Sequence, residues 1–513
     1  MVAAPVALDV ARVDQGNSPH PVVGRTISIA LWIVAFGILA GWLTLAAVHV
    51  SDDYRMSHPQ GTWVAAAETA RSGALYSPLF DGEHYSGTRF MPLAILLNAF
   101  ASAVADDPVV GGKTLAALLM AALLATIILV LRRASCPLPF AVALAAAVVA
   151  TDTGLGAATT VGGDLLPVVL QTGALALAVR GRSSRQLAVA GALAGLAFTS
   201  KLTAVWGACA VITWLTINRQ WRPAAVFAGA AVASAIVTLG TVQLFTHGGL
   251  SEHVFAFALA GVHGGNSLLR APNQLLYHLL GHAFATVVLF PFAVVGALLS
   301  GGWRQLSVFH IALIYALLVL MVVFADVGTG ANQLLDVIVL VTLAVGDWIG
   351  RASSHTDFPA TSALVLIVAI GVVWADSLDL VRTVGFDLRA VVATLRNGPA
   401  ERATVAVSRM VGPGDEVLAE DASISVPLKR RPVVMDAFML LRIDRAHPEL
   451  VDPLIRRINE RRFALVVLVV PLEDHALDFW WNDLDWGPRV AAALRQSYRP
   501  AGTVGRYFLY RPK

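Results

Sequence analysis

Charge is what this 513-residue sequence has least of: 14% of its residues are Asp, Glu, Lys or Arg, against 57% hydrophobic residues and a mean hydropathy of +0.69. That balance excludes an ordinary soluble protein and leaves a polytopic membrane protein. The net charge is only +3, and the basic residues sit in short clusters at helix ends. No basic block of the size that nucleic-acid binding needs is present. Cysteine is nearly absent: Cys136 and Cys209 lie in or beside apolar segments, lack the paired spacing of a metal site or disulfide framework, and read as buried thiols. The charged C-terminal part has no G-x-G-x-x-G or P-loop spacing, which removes a nucleotide from consideration there. No internal repeat stands out. The first apolar stretch has no small-residue cleavage site, so the expectation is a polar cytoplasmic tail over 1–25 followed by a retained span.

What is present is a succession of apolar runs. Crossing a bilayer takes about 20 residues at ~1.5 Å per residue. Runs that approach this length fall at 26–50, 111–131, 138–152, 164–180, 186–201, 203–218, 223–245, 282–300, 305–325, 333–350 and 361–378. They predict about eleven transmembrane helices in a domain over 26–380. A further run, 91–104, is shorter and opens at a proline, which predicts an interfacial or re-entrant helix inside a first outer loop, 51–110. With that choice Arg25, Arg132 and Arg133, the Arg180, Arg182 and Arg185 cluster, Arg219 and Arg222, Arg304 and Arg351 all fall on one side. The side rich in arginine is cytoplasmic, which puts the amino terminus inside the cytoplasmic membrane and the carboxyl terminus outside. Four polar segments then share the outer face: the loop beginning at Asp52, 151–164, 246–282 and 326–336.

Beyond about residue 380 the composition becomes that of a soluble domain, 381–513. Strands are predicted at Glu416–Ala419, 432–435, 463–470 and 506–510, with helices near 448–461 and 488–496. That is a small extracytoplasmic α/β domain with its own core.

The chemistry-bearing residues concentrate in the outer segments. Asp52 and Asp53 directly follow the first span, where a carboxylate can take a proton from an attacking hydroxyl or merely cap a loop. Tyr54, Arg55, His58, Tyr85 and Arg89 follow in the same loop, and Tyr54, His58 and Tyr85 are candidate substrate contacts. Asp164, after Gly162 and Gly163, opens an apolar helix. It is either an N-cap or a second acid that shares a divalent ion such as Mg2+ or Mn2+, or brackets one substrate. Lysines are scarce, and Lys201 interrupts an apolar run with no acid adjacent in sequence. It either snorkels to the interface or meets a lipid phosphate, with Arg89 and Arg270 on the same face to assist. His247, His253, His263, His278 and His282 match no compact zinc spacing and read as scattered hydrogen-bonding residues. Asn332 and Gln333, at the start of another span, are caps or polar contacts to substrate.

Taken in order, these features resemble the GT-C membrane glycosyltransferases. The resemblance lies in the acidic pair Asp52-Asp53 after the first span, Leu75-Tyr76 and then Arg89-x-x-Pro92-Leu93 closing the first loop, Gly163-Asp164 opening the fourth span, and Ser200-Lys201 ending the fifth. A soluble α/β tail outside completes it. The branch it resembles holds the bacterial lipid A aminoarabinose transferases and the protein O-mannosyltransferase-like enzymes of actinobacterial type. The resemblance implies an inverting transferase that moves a sugar from a polyprenyl-phosphate donor to a cell-envelope acceptor outside the cytoplasmic membrane. It also implies that Asp52 or Asp53 is the base, Asp164 a second acid, and Lys201 with Arg89 the contacts to lipid phosphate. Asp-Asp stands here where the aminoarabinose transferases have Asp-Glu. A transporter or lipid flippase, or a non-catalytic scaffold of the same fold for envelope assembly, are the rival readings.

Overall fold

A computed structural model describes residues 21–180, 183–259, 265–298, 306–326, 328–353, 359–398 and 400–513. The tail up to residue 20, Arg182, His263 and Arg304 lie outside the described residues. In chain order the helices of the first part are α1 (Pro21–Val48), α2 (His58–Arg71), α3 (Pro92–Ala105), α4 (Pro108–Arg133), α5 (Leu138–Ala150), α6 (Asp152–Thr159), α7 (Leu165–Arg180), α8 (Ser184–Ser200) and α9 (Trp206–Ile217). They continue with α10 (Trp221–Phe245), α11 (Gly249–Leu259), α12 (Gly265–His282), α13 (Phe284–Leu298), α14 (Val308–Val323), α15 (Leu335–Ser353), α16 (Pro359–Asp379) and α17 (Gly385–Asn397).

Each apolar run of the sequence is a helix. Among the described residues four helices are long and apolar enough to cross a membrane alone, and six if each of two bent pairs counts as one span. The bent pairs are α5 with α6, at 77°, and α12 with α13, at 117°. Helices α7, α9 and α14 are shorter. The bundle has a closely buried, largely apolar centre and an apolar outside. Helix α15 runs through the middle with Val337 to Val341 all but inaccessible, while Ile33 and Phe36 of α1 and Leu244 and Phe245 of α10 stay 60–81% exposed. Large apolar side chains presented outward on this scale are what lipid contact requires. Where helices meet without a hydrophobic driving force, small residues let them close up. A Cβ on Gly191 of α8 would lie 2.2 Å from Phe227 O of α10, and one on Gly195 2.2 Å from Ala231 O. The two helices therefore touch backbone to backbone.

The short run predicted to be re-entrant is α3. Proline opens it where a missing N–H costs nothing. Its buried face, Ala94, Ile95, Asn98 and Ser102, packs on α2 and α4, while Phe100 and Val104 are exposed. Asp106 then turns the chain through a left-handed conformation (φ 53°), and Asp107 caps α4 by accepting from Val109 and Val110 N.

The C-terminal part comprises α18 (Ala403–Ser408), β1 (Glu416–Ala419), α19 (Ala437–Ala446), α20 (Asp452–Asn459), β2 (Phe463–Leu468), α21 (Pro488–Ser497), β3 (Tyr498–Val504) and β4 (Tyr507–Pro512). The sheet order is β1-β2-β4-β3, with β1 parallel to β2 and the other two pairs antiparallel. Helix α16 continues through a wide turn at Leu380–Val384 into α17, which carries Asp387, Arg389 and Arg396 and is no longer an apolar run. One expectation needs correction. Residues 432–435 are not a strand of the sheet. Their backbone pairs with the first outer loop instead: Tyr85 N donates to Val433 O (2.7 Å) and Met435 N to Tyr85 O (2.8 Å). The loop is thus stitched into the core of the C-terminal part.

Candidate functional site

The four polar segments meet at one end of the bundle. Arg55 ion-pairs with Asp152 at the start of α6 (2.8 Å), and Asp152 also meets His282 Nδ1 (2.7 Å). Thr153 Oγ1 donates to Ala331 O (3.2 Å), and Thr88 N donates to His253 Nδ1, whose Nε2 lies 2.8 Å from Ser77 O. The C-terminal part caps the same end. Arg402 donates to Ser51 O and pairs with Asp107, and Arg442 pairs with Asp326 (2.7 Å).

Asp52 and Asp53 do not act as a matched pair, because they face opposite ways. Asp52 is buried; Oδ2 lies 2.6 Å from His49 Nδ1, and Oδ1 accepts from Tyr54 N. Beneath it Lys113 Nζ donates to three carbonyls, His49 O, Asp52 O and Tyr54 O (2.8, 2.8 and 3.1 Å), and lies 3.7 Å from the Asp52 carboxylate. An ammonium has three protons to give, so this one is saturated. Asp53 instead turns toward the C-terminal part, where Oδ2 accepts from Ala403 N (2.7 Å), and it remains half-buried. Tyr54 stacks on His49 (4.2 Å between ring centres) and accepts from Arg55 Nε.

Asp164 and Lys201, 37 positions apart, form an ion pair of 2.7 Å, and Asn332 Nδ2 donates to the other Asp164 oxygen (2.9 Å). Lys201 therefore does have an acid partner, supplied through space. Its extended backbone breaks α8 from the segment leading into α9 and puts the side chain at the end of the span. Asp164 is placed by close packing. A Cβ on Gly163 would lie 2.3 Å from the Trp63 ring, Trp63 stacks on Phe90 at 3.9 Å, and Asn98 of α3 donates to Gly162 O. Only glycine admits that indole. The next residue back from Phe90 is Arg89, whose guanidinium lies 4.1 Å over the Phe438 ring and 3.7 Å from Asp436. Phe438 in turn abuts Gly328 in the loop that carries Asn332. Lysine faces two of the acids considered for a divalent ion, Lys113 at Asp52 and Lys201 at Asp164, whereas Asp53 has backbone Ala403 N as its partner.

Three other candidates sit elsewhere. Tyr85 is no surface contact: it is 2% exposed, stacks on Phe80, and its hydroxyl donates to Leu450 O. Arg270 is exposed on α12 and makes no ion pair among the described residues. His58 opens α2 and faces the C-terminal part, with Nε2 3.2 Å from Asp485 Oδ2. Burial opposes a charge on this imidazole, but Asp485, Glu420 and Asp421 outweigh it and raise its pKa. Burial and the Asp485 charge push Glu420 up to about 8. Sequence reasoning passed over Lys113, Asp152, Glu420 and Asp485. Lys113 carried the same signal as Lys201, a rare lysine in an apolar run; the others carried none.

No protein-family model matches this chain, and no curated protein matches it. Among solved structures it is similar to ArnT from Cupriavidus metallidurans bound to undecaprenyl phosphate, with a TM-score of 0.58 at 14% identity over 93% of this chain and 97% of that one. The apo state of the same protein gives a TM-score of 0.55 at 12% identity, over 88% and 92%. The likeness runs through bundle and C-terminal part alike, and the fold is shared.

Proposed function

We propose that this chain is a membrane glycosyltransferase that takes a sugar from a polyprenyl-phosphate donor and adds it to a cell-envelope acceptor. The constellation of Asp164, Lys201 and Asn332, at the end where all four polar segments converge, carries the reading. Its support is that the whole fold is shared with a protein solved with undecaprenyl phosphate bound. A polyprenyl carrier stays in the bilayer, so its phosphate has to be met at a helix end. Lys201 is a part-exposed cation at such an end, and Arg89, held over Phe438 without a short ion pair, is the second. Charge on the departing phosphate is stabilised by both.

The acceptor hydroxyl attacks the anomeric carbon from the face opposite the phosphate and needs a base there. Of the two aspartates, Asp53 fits that task, because Asp52 has both carboxylate oxygens engaged inside the protein. Asp164 positions Lys201. In this reading eleven helices span the cytoplasmic membrane, with the amino terminus inside and the site outside. Reporter fusions after Ala105 and Val405 read as extracytoplasmic and one after Arg133 as cytoplasmic; a cytoplasmic Ala105 refutes the topology. The function itself is tested by titrating undecaprenyl phosphate into the purified chain in nanodiscs. Saturable binding that weakens in both Lys201→Ala and Arg89→Ala is the expected result, and binding indifferent to both changes overturns it.

A further inference from the structure

The contact between the first outer loop and the C-terminal part has a polar centre that the transfer reading does not use. Three side chains from distant segments converge there: His58 at the start of α2, Glu420 just beyond β1, and Asp485 in the turn before α21. One donor atom from each lies within 4.8 Å of the other two. Glu420 and Asp485 are both 2% exposed, and among the described residues no lysine or arginine donates to either. Glu420 is aimed by its neighbours, Trp480 Nε1 on Oε1 and Val469 N on Oε2 (2.8 Å each). Each of these oxygens keeps a further lone pair. The Trp480 ring also meets the His58 imidazole edge-on, at 5.3 Å and 76°. Asp485 uses one oxygen toward His58, and the other, Oδ1, is buried with no hydrogen-bond partner at all.

A buried carboxylate oxygen without a donor is costly. From these observations we propose that His58, Glu420 and Asp485 bind a divalent transition-metal ion that clasps the first outer loop to the C-terminal part. One imidazole nitrogen and two carboxylate oxygens form a donor set that suits Zn2+, with the fourth position of a tetrahedron left to water. Ligand atoms ~2.1 Å from such an ion stand about 3.4 Å apart. The His58 to Asp485 distance of 3.2 Å already meets this, and the Glu420 ligand atom lies within 4.8 Å of both. The indole and amide on Glu420 act as outer partners that hold a ligand in orientation. The site is separate from Lys201 and Asp164, and its existence does not depend on the transfer reaction.

The test uses the full chain in detergent, stripped with a chelator, because the C-terminal part takes Tyr85 of the outer loop into its core. Zn2+ is titrated by calorimetry and in thermal unfolding. The wild type is expected to bind about one equivalent and to unfold at higher temperature with Zn2+ present. Glu420→Gln, Asp485→Asn and His58→Asn are each expected to weaken binding by about 10-fold or more and to abolish the thermal shift. If the two buried variants do not fold, His58→Asn decides, since its side chain is 17% exposed. A wild type without stoichiometric binding overturns the proposal, as does an affinity that survives unchanged in every folded variant.

Discussion

Two lysine-aspartate pairs occupy the same end of the bundle and are built in opposite ways. Lys113 is 3% exposed and gives all its protons to backbone carbonyls, while both carboxylate oxygens of Asp52 above it are engaged, by His49 and Tyr54 N. Lys201 and Asp164 keep 18% and 24% of their side chains exposed, and Lys201 donates a single hydrogen bond. The first pair is a lock that fixes the exit of α1 against α4. The second has unspent hydrogen-bonding capacity beside a half-open surface, which is the condition for meeting a charged ligand. The two pairs are alike in sequence; burial and the lysine's hydrogen bonds tell them apart.

The largest effect is expected at the lock. Lys113→Met strands three carbonyls and a buried carboxylate, which costs about 3–5 kcal/mol. It should appear as a collapse of folded yield or of the unfolding midpoint in detergent, and an unchanged midpoint would dissolve the distinction between the pairs. Next comes Asp53→Asn, which keeps shape but cannot accept a proton. Transfer in a reconstituted assay should fall by about 10²–10⁴-fold with donor-lipid affinity retained. Asp52→Asn should lower the unfolding midpoint, and if it spares stability but removes transfer, the roles of the two acids are exchanged. Lys201→Ala is smaller: donor-lipid affinity drops by about 10-fold or more while stability changes by ~1 kcal/mol or less, as for part-exposed ion pairs. Arg270→Ala, at an exposed helix position, should leave both quantities within about 0.5 kcal/mol of wild type.

Much of the fold was legible in the chain. Long apolar runs became helices because no other structure satisfies the backbone away from water. The strands Glu416–Ala419, Phe463–Leu468 and Tyr507–Pro512 lie close to their predicted places. The segment 432–435 looked like a strand because its composition suits any extended pairing; its partner turned out to be Tyr85, nearly 350 residues earlier. Of the candidate site, Asp164, Lys201 and Asn332 came together, whereas Tyr85 went into a core. An aromatic residue in a polar loop fits a ligand contact or a hydrophobic anchor equally well, and only its neighbours distinguish the two.

By itself the sequence determined the apolar helices, the short α3, the arginine-rich ends and the α/β tail. Each of these is a local matter of hydropathy, periodicity or a proline, felt within a few turns of chain. The tertiary structure decided which acid meets which base. Asp53 reaches Ala403 across 350 positions, Arg55 reaches Asp387 across 332, and His58, Glu420 and Asp485 meet from three separate segments. Such pairings are set by the close packing of glycines and rings, Gly163 on Trp63 and Gly191 on the α10 backbone, and a fit of that kind depends on shapes that exist only once the helices have met.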